Sequence, residues 1–213
     1  MTSRAVLFDF DGTLADSAPD LAAALNRMRA QRGLVPLAIE ATRPYVSMGG
    51  RGMLRVGFGM TPDDAGYAAM RDEFLALYAE ATCVHTRLMS GMREVLAELE
   101  RRAIAWGIVT NKAMRFTERI VPALGLAPAC VVGGDSTPHL KPHPAPLLLA
   151  AERLGVPPAG CTYVGDDLRD VQAARAAGMR SIAVDYGYHS GEHPAQWNAD
   201  ATISHPAELL EHL

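Results

Sequence analysis

The chain begins with an apolar run, "AVLF" at residues 5–8, that is broken by Asp9 and Asp11 and reads as a buried strand ending in two acids. From Ala15 to Val84 the pattern turns helical. "PDLAAALNRMRAQRG" (19–33) sets Leu21, Leu25 and Met28 on one face, with Pro19 near its start and Gly33 as its stop. A second helical segment is expected around Ala38 to Val46, interrupted by "SMGGRGM" (47–53). "DDAGYAAMRDEFLALYAEAT" (63–82) puts Met70, Phe74, Leu77, Tyr78 and Ala81 on one stripe, which predicts a long amphipathic helix.

From residue 91 the texture alternates. Helical patterns at 91–103, 115–125, 142–155 and 169–178 are interleaved with strand-like runs at 104–110, 129–135, 161–167 and 181–187. This alternation predicts an α/β fold, a Rossmann-like doubly wound parallel sheet with helices on both faces. The first strand belongs to the same set by composition. The helical stretch is then an inserted cap, residues 15–84, on a core built from 1–14 and 85–213.

In an open parallel sheet the ligand lies beyond the carboxyl ends of the strands, at a switch point. The polar residues collected there are Asp9 and Asp11 on the first strand, Thr110 and Asn111 on the second, and Asp135 on the third. The fourth ends in Gly165, Asp166 and Asp167, with Asp170 one turn on, and Lys141 opens the helix after the third. Asp9, Asp11 and Asp166 would repel one another unless a cation joined them. A hard ion that keeps its waters, Mg²⁺, suits such an oxygen set. One carboxylate can attack phosphorus as a nucleophile and a second can serve as general acid and base. Thr110 offers a hydroxyl, and the loop amides from Asn111 onward can donate to phosphate oxygens. Lys141 offers a point charge, and Gly12 lets the backbone turn tightly beside a phosphate.

Composition narrows the function classes. The sequence has 213 residues, 49% apolar and 21% charged, with a formal net charge of −4 and no Lys/Arg run, which argues against a nucleic-acid-binding surface. No stretch approaches the roughly 18 apolar residues of a membrane span. Cys83, Cys130 and Cys161 are scattered and read as reduced thiols. "MTSRAVLFDFDG" has no signal-peptide character, so a cytoplasmic protein is expected. Pro142 separates His139 from His143 and no acidic ligands accompany them, which disfavours zinc.

"DFDGTLADS" (9–17), "VTNK" (109–112), "LKPHP" (140–144) and "VGDDLRD" (164–170) resemble the four ordered motifs of the haloacid dehalogenase superfamily, over nearly the whole chain. The resemblance implies that Asp9 attacks phosphorus to form an aspartyl-phosphate. Asp11 would protonate the leaving alkoxide and then activate water. Thr110 and Lys141 would bind phosphoryl oxygens. Asp9, the Asp11 carbonyl and Asp166 would hold Mg²⁺, with Asp170 behind them. An acid at Asp11 separates phosphate-ester cleavage from dehalogenation, which has no alkoxide to protonate. Longer stretches such as "YVGDDLRDVQAARAAGM" (163–179) resemble the phosphoglycolate phosphatases. "GGRGML" (49–54) and "VHTRLMSGM" (84–92) look equally like phosphatases of N-acetylmuramic acid 6-phosphate. The implied partner is a small-molecule phosphate ester.

Several readings stay open at this level. Gly50 and Arg51 in the cap are candidate specificity residues, Arg51 pairing with a substrate carboxylate; the other reading is an interhelix turn with a surface arginine. Asp170 is either a first-turn helix acid or the partner of Lys141. Lys112 reads as a solvated loop lysine, the other reading being a reach to the phosphate; Asp167 reads as a loop polar residue, and Asp16 with Ser17 as the start of the cap. Trp106 and Trp197 read as packing residues, and the loop 186–197 suggests no chemistry. A signalling receiver domain also joins an Asp, a Thr and a Lys on a doubly wound sheet. It needs neither an inserted cap nor an acid two residues after its acceptor.

Overall fold

The computed structural model describes residues 5–189, 191 and 193–213. Met1–Arg4, where a leader would begin, and Ser190 and Glu192 of the late loop lie outside the described residues. In chain order the elements are β1 (Ala5–Phe8), β2 (Ala15–Asp16), α1 (Ala18–Gln31), α2 (Ile39–Thr42), α3 (Gly49–Phe58), α4 (Tyr67–Glu80) and β3 (Arg87–Leu88). There follow α5 (Met92–Arg101), β4 (Ala105–Val109), α6 (Met114–Ala123), β5 (Cys130–Val132) and α7 (Ala145–Leu154). The last are β6 (Cys161–Gly165), α8 (Leu168–Ala177), β7 (Arg180–Val184) and β8 (Ala201–Ile203).

Six strands form one sheet in the order β5-β4-β1-β6-β7-β8, every neighbouring pair parallel. β1 lies between β4 and β6, and the chain runs outward from it first to one side and then to the other. That reversal opens a crevice at the carboxyl end of β1. Alternation along β1 explains the two covered faces. Val6 and Phe8 pack in one cluster with Val95 and Leu99 of α5 and Phe116 and Ile120 of α6. Ala5 and Leu7 pack in another with Leu147 and Ala150 of α7 and Ala173 and Ala174 of α8. The alanines of α7 and α8 let those helices sit close to the sheet.

The helical stretch α1–α4 leaves and rejoins the core through a two-stranded antiparallel ribbon, Ala15 opposite Leu88 and Asp16 opposite Arg87. Phe10 and Leu14 continue the core cluster into it, against Leu25, Met28, Met53 and Phe74. Asp20, buried on the first turn of α1, secures the returning chain. It accepts from the backbone N–H groups of His85 (2.9 Å) and Thr86 (2.8 Å) and from the Thr86 hydroxyl (2.6 Å). Asp20→Ala strands these donors in a dry site and is expected to cost about 2–4 kcal/mol. The check is the urea midpoint at unchanged m; a loss near 0.5 kcal/mol would show that water replaces the carboxylate.

The helical stretch differs from the sequence expectation in two places. The segment expected over 38–46 is one short turn, α2, followed by a 3₁₀ run Arg43–Met48 with Pro44 in its first turn. "SMGGRGM" does not interrupt a helix; Gly49 begins α3, which runs to Phe58. The glycines serve close packing here. A Cβ on Gly52 would strike the Tyr45 carbonyl, and one on Gly57 would strike Leu25. β2, β3 and β8 have two or three residues each, too few to leave a period in the sequence.

Candidate active site

The site grows from the end of β1. Asp9 still belongs to the sheet, its N–H donating to the Val164 carbonyl at 2.9 Å. Its Oδ1 accepts from the Phe10 N–H (2.7 Å) and lies 2.9 Å from Lys141 Nζ. Past Asp11 the chain turns through Gly12, whose φ of +86° favours glycine. The two acids therefore face different walls. The Asp11 carboxylate accepts from Lys112 Nζ at 2.8 and 3.0 Å and from the Ser17 hydroxyl.

Asp166, at the end of β6, is fully buried. It accepts from the Tyr188 N–H (2.8 Å) and the Thr13 hydroxyl (3.1 Å). Two glycines make room for it, since a Cβ on Gly12 or on Gly187 would collide with this side chain. Burial, and then the charges of Asp9 and Asp170, push its carboxyl well above the usual range. Carboxylate oxygens of Asp9, Asp166 and Asp170 all lie within 4.8 Å of one another. Asp166 has no cationic partner among the described residues, so an added divalent cation would relieve the repulsion. The donor set is all oxygen, which fits Mg²⁺.

Lys141 is the cation inside this cluster. Its Nζ donates to Asp170 Oδ1 (2.7 Å) and to the Tyr163 hydroxyl (2.7 Å), in addition to its contact with Asp9. Burial opposes its charge, but the carboxylates of Asp170 and Asp9 outweigh this and hold the ammonium above its ordinary range. Asn111 fixes the lysine backbone from both sides, its Nδ2 donating to the Lys141 carbonyl and its Oδ1 accepting from the Lys141 N–H. The Asn111 side chain is thereby committed to positioning Lys141. Asp170 resolves its open reading by doing both jobs. Its Oδ2 accepts from the Asp167 N–H in a capping box at the start of α8, and its Oδ1 holds Lys141. Thr110, one residue past β4, receives the Lys112 N–H on its hydroxyl (3.1 Å).

A cavity of about 310 Å³ opens above these groups. Asp9, Asp11, Thr110, Asn111 and Lys141 form its floor, while Val46, Ser47, Gly50, Phe74 and Tyr78 line it from the helical stretch. Gly50 is thus at the cavity. Arg51 is exposed and does not line it; the arginines that do are Arg115 and Arg169. Arg169 forms a fork on Asp167 and donates to the Ser47 carbonyl at 2.8 Å, linking α8 to the helical stretch.

Other residues depart from their sequence readings. Lys112 is not a solvated loop lysine: its side chain is 7% exposed and paired with Asp11. Asp167 caps α8 rather than filling a loop. Asp16, by contrast, stands where it was expected, at the entry to the helical stretch: it pairs with Arg43 at 2.7 Å and accepts from the Tyr188 hydroxyl, joining β2, the helical stretch and the late loop. Tyr163 and Tyr188 were not singled out by the sequence. For Tyr163 the signal was available: it is the only large polar-tipped side chain in a strand that ends in two acids.

A sequence profile of the haloacid dehalogenase-like hydrolases matches residues 6–184. The chain belongs to this family. It is 45% identical over 212 residues to an N-acetylmuramic acid 6-phosphate phosphatase of Pseudomonas putida, an alignment covering 98% of this chain and 95% of the relative. A phosphoglycolate phosphatase of Xanthomonas campestris pv. campestris is 46% identical over 211 residues, with the same coverage. A crystal structure from Haemophilus somnus, described as a predicted phosphoglycolate phosphatase, superposes with a TM-score of 0.87 at 27% identity, covering 100% of this chain and 98% of that one. Among the described residues no helix is long and apolar enough to cross a membrane.

Proposed function

We propose that this hydrolase is a Mg²⁺-dependent phosphatase that cleaves a small phosphate monoester through an aspartyl-phosphate on Asp9. The observation that carries the reading is the division of labour between the two acids of β1. Asp9 pairs with Lys141 inside the carboxylate–lysine cluster, and Asp11 pairs with Lys112 elsewhere in the lining of the same cavity. In this reading Asp9 forms the new P–O bond as the ester P–O bond breaks, and Asp11 gives its proton to the leaving alkoxide. Asp11 then takes a proton from the water that attacks the aspartyl-phosphate, restoring Asp9. Lys141, held by Asp170 and Asn111, and Thr110 steady the phosphoryl oxygens. A cation held by Asp9, Asp166 and the main-chain carbonyl of Asp11 would add charge stabilisation at those oxygens. Residues 1–14 and 85–213 act as the catalytic core and 15–84 as a cap that selects the leaving group.

The substrate favoured is of the phosphoglycolate type. The apolar wall of Val46, Met48 and Phe74 gives specific support to a second reading, a larger amphipathic ester such as N-acetylmuramic acid 6-phosphate. Steady-state kinetics on both compounds separates the two, and repeated turnover separates either from a receiver module, which loses its own phosphate once. EDTA is expected to stop hydrolysis and Mg²⁺ to restore it. Mg²⁺ at a hundred times its Kd should raise the melting temperature by about 5–10 °C. Asp166→Asn should lose that rise; a rise that persists would remove Asp166 from the metal site.

A further inference from the structure

Tyr188 follows β7, in the stretch 186–197 whose sequence suggests no chemistry. It is 3% exposed and touches two parts of the molecule at once. Its backbone N–H donates to Asp166 Oδ2 at 2.8 Å, and the Thr13 hydroxyl donates to Oδ1 of the same carboxylate at 3.1 Å. Its own hydroxyl reaches the entry to the helical stretch. There it donates to Asp16 Oδ1 of β2 and accepts from the N–H of Ala18, the first residue of α1, at 3.1 Å. The ring packs on the turn after Asp11, where a Cβ on Gly12 would come within 2.8 Å of it.

Neither partner of the hydroxyl requires it. Arg43 already donates to both oxygens of Asp16, at 3.0 and 2.7 Å, and the Ala18 N–H also lies 3.3 Å from Asp16 Oδ1. What depends on the hydroxyl is the loop that bears it. Position 187 must be glycine, because a Cβ there would collide with Asp166, and glycine leaves the backbone at its freest. The Tyr188 N–H is therefore kept on Asp166 by whatever fixes the Tyr188 side chain. We propose that Tyr188 is a positioning residue for the metal site: its hydroxyl, anchored on Asp16 and α1, holds in place the N–H that orients Asp166, and so raises the affinity for Mg²⁺ without touching the ion. The assignment rests on the Mg²⁺ site of the phosphatase reading and deepens it. Partners that orient a metal-binding carboxylate are commonly worth about 10–100-fold in affinity. Tyr188→Phe keeps the N–H and loses only its anchor, which sets the expectation at the lower end.

The test is the Kd for Mg²⁺ by isothermal titration calorimetry, at a temperature where every variant is folded. Tyr188→Phe should weaken binding about tenfold. Asp16→Ala should weaken it as well, and the double variant should bind no more weakly than the weaker single one, because one bond carries both effects. Asp16→Asn should keep most of the affinity, its amide oxygen still accepting from the Tyr188 hydroxyl. Linkage makes the effect reciprocal, so Mg²⁺ should slow hydrogen exchange of the Ala18 amide in the natural protein and not in Tyr188→Phe. An unchanged Kd in Tyr188→Phe would overturn the proposal, whatever its melting temperature does, and so would losses that simply add in the double variant. A natural protein that binds no Mg²⁺ and hydrolyses phosphate esters in EDTA would overturn the metal site and this proposal together.

Discussion

Asp9→Asn is expected to abolish turnover, by about 10⁴-fold or more, while leaving the fold in place. The size of the effect reflects chemistry that nothing else in the cavity can replace. In the proposed mechanism the aspartyl oxygen is the atom that bonds to phosphorus, and an amide oxygen is a poor nucleophile. The fold should tolerate the change because the side chain is not fully buried and its backbone N–H keeps the bond to the Val164 carbonyl. The amide oxygen can still accept from the Phe10 N–H. Single-turnover assays with a chromogenic phosphate ester, read beside the melting temperature, are the check. Residual activity within a hundredfold of the natural protein would move the nucleophile elsewhere.

Lys141→Met should damage stability and activity together. Lys141 lies 2.9 Å from Asp9 and 2.7 Å from Asp170, with the Tyr163 hydroxyl as a third partner. Removing it leaves the three clustered carboxylates without a cation, and breaking a buried pair from one side costs about 3–5 kcal/mol. Turnover should fall about 10²–10³-fold, the usual range for losing one preorganised charge at a developing anion. Asp170→Asn in the same chain removes one of the stranded charges and should recover part of the stability. Urea unfolding of the two single variants and the double variant, without Mg²⁺, gives the coupling. Strictly additive losses would mean that the two side chains do not act as a pair.

Most of the cavity floor could be read from the sequence because Asp9, Asp11, Thr110 and Asn111 sit just past strand ends, whereas Lys141 lies in the segment between β5 and α7. Asp9, Thr110 and Asp166 follow apolar runs whose lengths and spacing define a parallel sheet, and in such a sheet the strand ends converge by topology alone. The walls could not be read in the same way. Lys112 follows Thr110 by two residues, yet its burial depends on Tyr78 arriving from another helix, and sequence spacing carries no record of that. Arg51 shows the same limit. "GGRG" has no apolar period from which to phase α3; the face is set by Gly52, which packs on the Tyr45 carbonyl. Asp16 is paired with Arg43 across 27 positions, a contact set by tertiary packing. Elements as short as β8 fall below the length at which alternation can be distinguished from chance.

The ribbon of β2 and β3 bears on how such proteins diversify. The polypeptide leaves the sheet and returns to it along two strands that touch, so the two ends of the insert are held together at that junction. For a flexible connection, doubling the intervening length adds only about 0.6 kcal/mol of closure cost. Whatever is spliced between Asp16 and Arg87 can therefore be lengthened, shortened or exchanged without shifting the register of β1 against β4 and β6. On the proposed division of roles, a lineage carrying this junction can change the compound it recognises by grafting a different insert, while the atoms that do the chemistry stay where they are.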